Sequence, residues 1–461
     1  MKALLPFDDF VLNRNENTRR IFKQPKWLFD QAFSDSCTPK GSNPIRVVPA
    51  PQGGYYLTYY GHLNMDDKFE DETLYSFLAW SPDGIHFEPY AAHPDAKVPQ
   101  MLGRISDPCG VYAFYDVAEI NPRYRYKSPY ARFGFDGNGV KLAEPYHLLG
   151  SSDMIHWDQI NDAQILPNYA DSSPSLIRNP VTGRYQATIR RRWGERRVCL
   201  VESEDLKSWS EPRCILHPSP NDPPTTHYYD MPHYYYEPGE IFLGFLWHHI
   251  MPFDRIMDGP MYTEYTYSYD GLTWNRTGAR MVPERPRGEY GAGIHYVESM
   301  IDRGEDIVFY MCAGLGEHGG VPEEWKPGMK ARTVMIPGVL PKNRFVCIDS
   351  YKGGKAEVLT QHLLLHKPEL RLNANVPFGS LKAELLEGNK PIPGYTFEDF
   401  QPIWGDFLDK PLCWKGGGLN RFVEEKKWIR LHIAFEQTEI YGIMGDFSFT
   451  INTNAPIRDR L

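Results

Sequence analysis

Four acids, Asp107, Asp171, Asp230 and Glu289, lie 64, 59 and 59 residues apart, and each heads a strand-like run: PCGVYAFY, SSPSLIRN, MPHYYYEP and YGAGIHYV. If a repeating element carries them to one point, repulsion and partial desolvation raise some carboxyl pKa values and leave others ionised. One pocket then holds a general acid and a general base. The alternative for any single one is that Asp caps the turn before a strand. The run 227–238, HYYDMPHYYYEP, surrounds Asp230 with five tyrosines and two histidines. Ring faces stack on sugar C–H surfaces and phenols donate hydrogen bonds, so His227 and Tyr229 are expected to bind substrate.

Counting back about one repeat from Asp107 reaches Asn43 in GSNPIRVV, so the first unit offers an amide where the others offer an acid. Asp35, in FSDSCTPKG, is near enough in sequence to stand in for it. Arg190, Arg191 and Arg192, followed by Trp193, end a strand-like run and are placed either to bind hydroxyls or an anion in the pocket or to lie solvated in ion pairs. Trp247 and His248 are expected at the site, with His249 on the opposite face because strand side chains alternate. No HExxH or similar spacing gathers three ligands, so no catalytic metal and no cofactor are expected, with a structural axial ion left open.

The element that must position these residues is visible as a repeat. SPDGIHF (81–87), SSDMIHW (151–157), SEDLKSW (203–209) and SYDGLTW (268–274) all read Ser-x-Asp-x-x-x-aromatic. Ser and Asp two apart bond backbone amides and close a tight turn, and the ring anchors it. Two strand-like runs precede each turn, as in YYLTYYG and TLYSFLAW. A further pair, DIVFYMC and RTVMIPG, continues to RFVCIDSYKGG and suggests a fifth unit with a degenerate turn. Little 3.6-residue periodicity is present, and 39 Gly and 39 Pro punctuate the chain. The expectation is an all-β chain: an N-terminal strap over 1–30, a five-bladed β-propeller over 31–355 and a β-sandwich over 356–461, where SLKAELLE and WIRLHIAF alternate apolar and polar residues.

Composition narrows the function. Net charge is −9, which gives no electrostatic support for nucleic acid. Aromatic residues make up 14%, a supply that suits β-structure and sugar recognition. The seven cysteines are scattered, with no CxxC, and indicate neither a disulfide framework nor a cysteine zinc site. The opening MKALLPFDDF lacks the long apolar core of a signal peptide, and no stretch approaches the ~20 apolar residues of a membrane span. Cytoplasmic residence is the simplest expectation, and homo-oligomerisation is left open.

These residues together resemble the five-bladed β-propeller glycosidases of glycoside hydrolase families 32 and 43, above all family-32-like proteins with a C-terminal β-sandwich. NPIRVVPAPQGGYYLTYYGH (43–62) is similar to the first blade of the fructosidases, which opens Asp-Pro-Asn-Gly, and SDP (106–108) is similar to their Arg-Asp-Pro. The resemblance implies that Asp107 binds sugar hydroxyls at the transition state and that Glu289 is the general acid. Asn43 stands where the fructosidases carry their nucleophilic Asp, and Asp171-Ser172 replaces their Glu-Cys. Asp171 is then the base or nucleophile, with Asp230 as partner or pKa modulator. The Ser-x-Asp turns resemble sialidase Asp boxes, one residue longer in those enzymes, and speak for fold alone. The function this implies is an exo-acting glycoside hydrolase on a short fructoside- or furanoside-like carbohydrate. A phosphorolytic glycosidase and a non-catalytic sugar-binding propeller are the alternatives.

Overall fold

The computed structural model describes residues 2–65, 73–105, 107–135, 141–160, 174–192, 196–252, 259–318 and 332–450. The chain is all-β: among the described residues the single α-helix is Asn420–Glu424. Contacts divide it into two units, one of residues 25–235 and 242–339, the other of residues 1–24, 236–241 and 340–461.

Among the described residues the first unit is built from five blades of antiparallel strands, the fourth and fifth joined by a single parallel pairing of Met261 with Ile294. The first holds Asn43–Pro49, Tyr55–His62, Leu74–Ser81 and Glu88–Pro89, with Met101–Arg104 added beside Leu74–Ser81. The second holds Phe114–Tyr115, Tyr126–Phe135, Lys141–Ser151 and Asp158–Gln159, and the third Ser175–Arg178, Tyr185–Arg192, Arg196–Ser203 and Arg213–Cys214. In the fourth, Thr226–Tyr228 and His233–Tyr236 pair with Ile241–Ile250, followed by Met261–Ser268 and Asn275–Arg280. In the fifth, Ile294–Asp302, Asp306–Gly314 and Thr333–Pro341 are completed by Lys26–Trp27.

The anticipated turns form in all four copies. In each, the Asp carboxylate accepts two backbone N–H groups, as Asp83 does from Ile85 (2.8 Å) and His86 (3.0 Å), and the Ser hydroxyl accepts another, as Ser81 does from Gly84 (2.8 Å). Asp153, Asp205 and Asp270 repeat the pattern, each joining the third strand of a sheet to its short outer strand.

The sheets close into a ring, because each bonds to the next in order. Thr58 Oγ1 donates to Val111 O (2.8 Å), Tyr185 Oη to Asp116 (3.0 Å), Thr188 Oγ1 to Met231 O (2.8 Å), Val297 N to Thr263 Oγ1 (3.0 Å) and Val47 N to Ser299 Oγ (3.1 Å). Apolar side chains fill the wedges between neighbours, for instance Val47, Leu57, Phe77, Val308 and Tyr310 between the first sheet and the fifth. The result is a five-bladed β-propeller. The sequence reading differs in one strand: Val346–Ser350, in RFVCIDSYKGG, does not continue the fifth sheet but pairs with Thr18–Phe22 and Glu439–Thr450 in the other unit. Lys26–Trp27 takes the outer place instead, pairing with Gly338 and Val339. The Trp27 indole donates to Met281 O at 3.1 Å, and a Cβ on Gly338 would meet that ring at 2.5 Å, so glycine is required for the approach.

Among the described residues the other unit carries eleven antiparallel strands, the longest being His362–Val376 and Glu439–Thr450. Leu363, Leu372, Ile429, Leu431, Ile433 and Phe435 belong to its core.

Candidate functional site

First strands of neighbouring blades run beside the ring's centre, so a polar side chain in the middle of one is enclosed by the others. Two such residues break otherwise apolar runs. Arg46 in NPIRVVP is 4% exposed and Glu298 in IHYVESMID is 3% exposed. They meet across the junction of the first and fifth blades, where Arg46 Nη1 donates to Glu298 Oε2 at 2.8 Å. Arg46 Nη2 reaches Pro174 O, at the head of the third blade, at 3.3 Å. Asp230 stands in the same cluster, between the two inner strands of the fourth blade, buried and close enough to act on Glu298. Burial pushes the Glu298 carboxyl up to about 8, Asp230 adds to the rise, and the Arg46 guanidinium opposes it. Burial and Arg46 also push His233 down to about 3, leaving a neutral imidazole.

Around this cluster stand half-buried aromatic side chains from different blades: Tyr60, Tyr112, Tyr229, Tyr234 and Tyr296. Burial raises Tyr60 and Tyr296 well above the usual phenol range, and each feels both Cys312 and Glu298, so their hydroxyls remain donors. Tyr234 Oη donates to Glu298 O and Ser299 Oγ, both at 3.0 Å. Two cations lie against the Tyr229 ring, the Arg190 guanidinium 4.1 Å and that of Arg196 4.7 Å from its centre. Its hydroxyl lies 3.4 Å from His318 Nε2, and its ring lies 6.0 Å from that of His249.

The expected site residues divide. Asp230, Tyr229, Arg190, Trp247, Asn43 and His227 are brought to this region. Trp247 stacks on Tyr229 and donates to Val297 O at 2.9 Å. Asn43 heads its strand, accepts from Thr333 Oγ1 at 2.8 Å and donates to Tyr60 O at 3.3 Å. His227 accepts the Arg196 N–H at 3.2 Å, and burial, with Arg196 and Arg197, holds its pKa below the usual histidine value.

Four residues lie elsewhere. Glu289 is exposed in the loop before Ile294–Asp302 and forms an ion pair with Arg285, one helical-turn spacing away in sequence, so the enclosed acid of the fifth blade is Glu298. Asp107 is exposed, and its carboxylate accepts Arg104 N–H at 2.9 Å, closing its own turn. Asp35 is buried but occupied: it accepts from Tyr59 Oη at 2.5 Å, Gln100 Nε2 at 3.0 Å and Cys37 N–H at 2.9 Å. His248 faces away from Tyr229, with Nε2 2.8 Å from Glu264 Oε2, and it is His249 that lies on the Tyr229 side. Asp171 and Trp193 lie outside the described residues.

The sequence reading missed Glu298, Arg46, Tyr60, Tyr296, His249 and Arg196. One signal for the first two was available: opposite charges set within apolar strand runs, where burial demands a partner. Among the described residues no three His, Cys, Asp or Glu side chains converge as a metal site.

No family model matches the sequence, and no curated protein matches it either. Among solved structures, the chain is similar to an N-acetylgalactosamine deacetylase from F. plautii in complex with blood group B trisaccharide, at 15% identity and TM-score 0.47, covering 72% of this chain and 97% of that one. It is similar to a thermostable family-43 glycoside hydrolase at 11% identity and TM-score 0.43, covering 67% and 92% respectively. A Bombyx mori GH32 β-fructofuranosidase is similar over 91% of this chain and 93% of its own, at 12% identity and TM-score 0.44. These likenesses assign no residue a role; the propeller rests on the strand pairing and ring closure described above.

Proposed function

We propose that the propeller is a glycoside hydrolase whose acid chemistry centres on Glu298 and Asp230. The observation that carries this reading is the enclosed acid: Glu298 is buried in the first strand of the fifth blade, where burial, opposed by Arg46 and aided by Asp230, pushes its carboxyl up to about 8 and favours the protonated form near neutral pH. A carboxylic acid kept protonated beside a second acid is the pairing glycosidic cleavage requires, one to protonate the leaving oxygen and one to act as base or nucleophile. Arg46 fixes one Glu298 oxygen and so orients the group. The half-buried tyrosines supply ring faces and phenol donors suited to a sugar. Asp171 retains its proposed part as base or nucleophile alongside Asp230, and a terminal furanoside or fructoside remains the proposed substrate class.

The test is turnover of an aryl-glycoside panel, including fructo- and arabinofuranosides, by the native chain and by Glu298→Gln, Asp230→Asn and Asp171→Asn. Loss in Glu298→Gln with retained folding is expected. Unchanged turnover in that variant removes Glu298 from the chemistry.

A second reading, phosphorolysis, has one observation in its favour: Arg190 and Arg196 flank Tyr229 with His227, His249 and His318 close by, a setting that favours an anion. Cleavage that depends strictly on inorganic phosphate would select it over hydrolysis.

A further inference from the structure

In the third blade, Cys199 and Cys214 stand directly opposite one another on the antiparallel strands Arg196–Ser203 and Arg213–Cys214. Ile215 N–H donates to Val198 O at 3.1 Å, one residue beyond the pair on each strand. That bond fixes the two cysteines at a non-hydrogen-bonded position of the ladder, where opposed Cα atoms come to about 4.5 Å and side chains lie closest. A disulfide spans Cα separations of about 4.4–6.8 Å. The register therefore accommodates the bond with both strands in place.

The two thiols are unequal. Cys199 is fully buried, whereas Cys214 is half-buried on the short outer strand. Cys214 Sγ lies 3.4 Å from Leu216 O and 3.8 Å from His217 Nδ1. A hydrogen bond from the Cys199 thiol is the main influence pulling Cys214 down to about 6; burial opposes it, and His217, the Leu216 backbone and Arg197 assist. Burial does the reverse to Cys109, Cys312 and Cys347, which are pushed up to about 11, 12 and 12. Thiolate character and access govern attack on oxidants, and Cys214 combines them with a second thiol in bonding register.

We propose that Cys214 and Cys199 form a hydroperoxide-sensitive pair that closes reversibly into a cross-strand disulfide. The Cys214 thiolate attacks one peroxide oxygen, the O–O bond breaks, and hydroxide leaves, taking a proton to become water; Cys214 is oxidised to a sulfenic acid and the peroxide is reduced. The Cys199 sulfur then attacks the Cys214 sulfur, the S–O bond breaks, and the hydroxyl departs with the Cys199 proton as a second water. The sum is two thiols and one hydrogen peroxide giving one disulfide and two waters. The bond would tie the outer strand to its neighbour just ahead of Ile215 and Leu216, which pack between the third and fourth blades.

The test uses the full chain, reduced and then treated with hydrogen peroxide in slight excess. Intact mass should fall by two hydrogens, two thiols should be lost, and peptide mapping should join Cys199 to Cys214, all reversed by dithiothreitol. In Cys199→Ser, a dimedone adduct on Cys214 should replace the disulfide. Oxidation confined to Cys37 or Cys413, or loss of the Cys214 thiol without the joined peptide in the native chain, overturns the proposal. A second measurement avoids any folding defect of the variant: brief iodoacetamide labelling of the native chain at neutral pH should mark Cys214 ahead of the exposed Cys413, and the opposite order also overturns it. Neither readout depends on glycosidase activity.

Discussion

Two glutamates, Glu264 and Glu298, are almost equally buried within the propeller, at 2% and 3% exposure, and each meets an arginine. Their protons behave oppositely. Glu264 accepts from His248 Nε2 at 2.8 Å, from Arg276 Nη2 at 2.5 Å and Nε at 3.1 Å, and from Gly278 N–H at 2.8 Å. Burial alone would raise its pKa, but those donors outweigh it and hold Glu264 below the ordinary value. Asp222 shares the same arginine, accepting from Arg276 Nη1 at 2.6 Å and Nη2 at 2.9 Å. Glu298 has Arg46 and little else to stabilise its charge, and a second acid beside it, so burial prevails. The difference lies in how completely the charge is solvated by protein donors: a saturated carboxylate is structural, and an undersolvated one keeps a proton to give.

The largest expected effect separates the pair by activity. Glu298→Gln, which keeps the shape and an acceptor for Arg46, should lower glycoside turnover by roughly 10²–10⁴-fold, with the far-UV spectrum unchanged. Glu264→Gln, measured side by side, should leave the chemical step nearly intact. Stability should show the reverse emphasis. Glu264→Ala leaves Arg276 without one of its two carboxylates and should cost about 3–5 kcal/mol in urea unfolding, whereas Glu298→Gln should cost clearly less.

Opposite pH signatures sharpen the contrast further. The folded pKa of Glu298 lies above its unfolded value near 4.5, so its contribution to stability is complete below about 4.5 and is lost as pH rises toward about 8. Glu264 lies below its unfolded value, so its contribution is present above about 4.5 and is lost as pH falls through the folded value. Thermal melts of each Gln variant across that range should remove one limb and leave the other; a single common limb in both would dissolve the distinction. Activity should decline on the alkaline side as Glu298 loses its proton. The smallest effect is expected far from either acid: Asp270→Ala removes two backbone hydrogen bonds and should cost about 1–2 kcal/mol without altering the pH dependence of turnover.

What could be read from the sequence follows the range of the forces involved. The Ser-x-Asp turns were legible because their bonds join residues two and three apart, as Asp83 does with Ile85 and His86, and the strands between them follow from alternation and turn chemistry. Asp230 was legible through its aromatic neighbours. Glu298 was not, because its partner Arg46 is 252 residues away and ring closure alone unites them. Glu289 is in phase with the repeat, yet a loop of Pro, Arg and Gly residues carries it outward to Arg285. His248 and His249 are adjacent in sequence, and only the register of Ile241–Ile250 decides which one faces Tyr229.

The fifth sheet's borrowed outer strand has a consequence for how the ring is made. Lys26–Trp27 emerges from the ribosome early, but its partners Gly338 and Val339 arrive only after all the other blades have been synthesised. The first and last blades must therefore wait for each other, and a short clasp with an indole as its pin joins the contacts that fasten the toroid at a late stage.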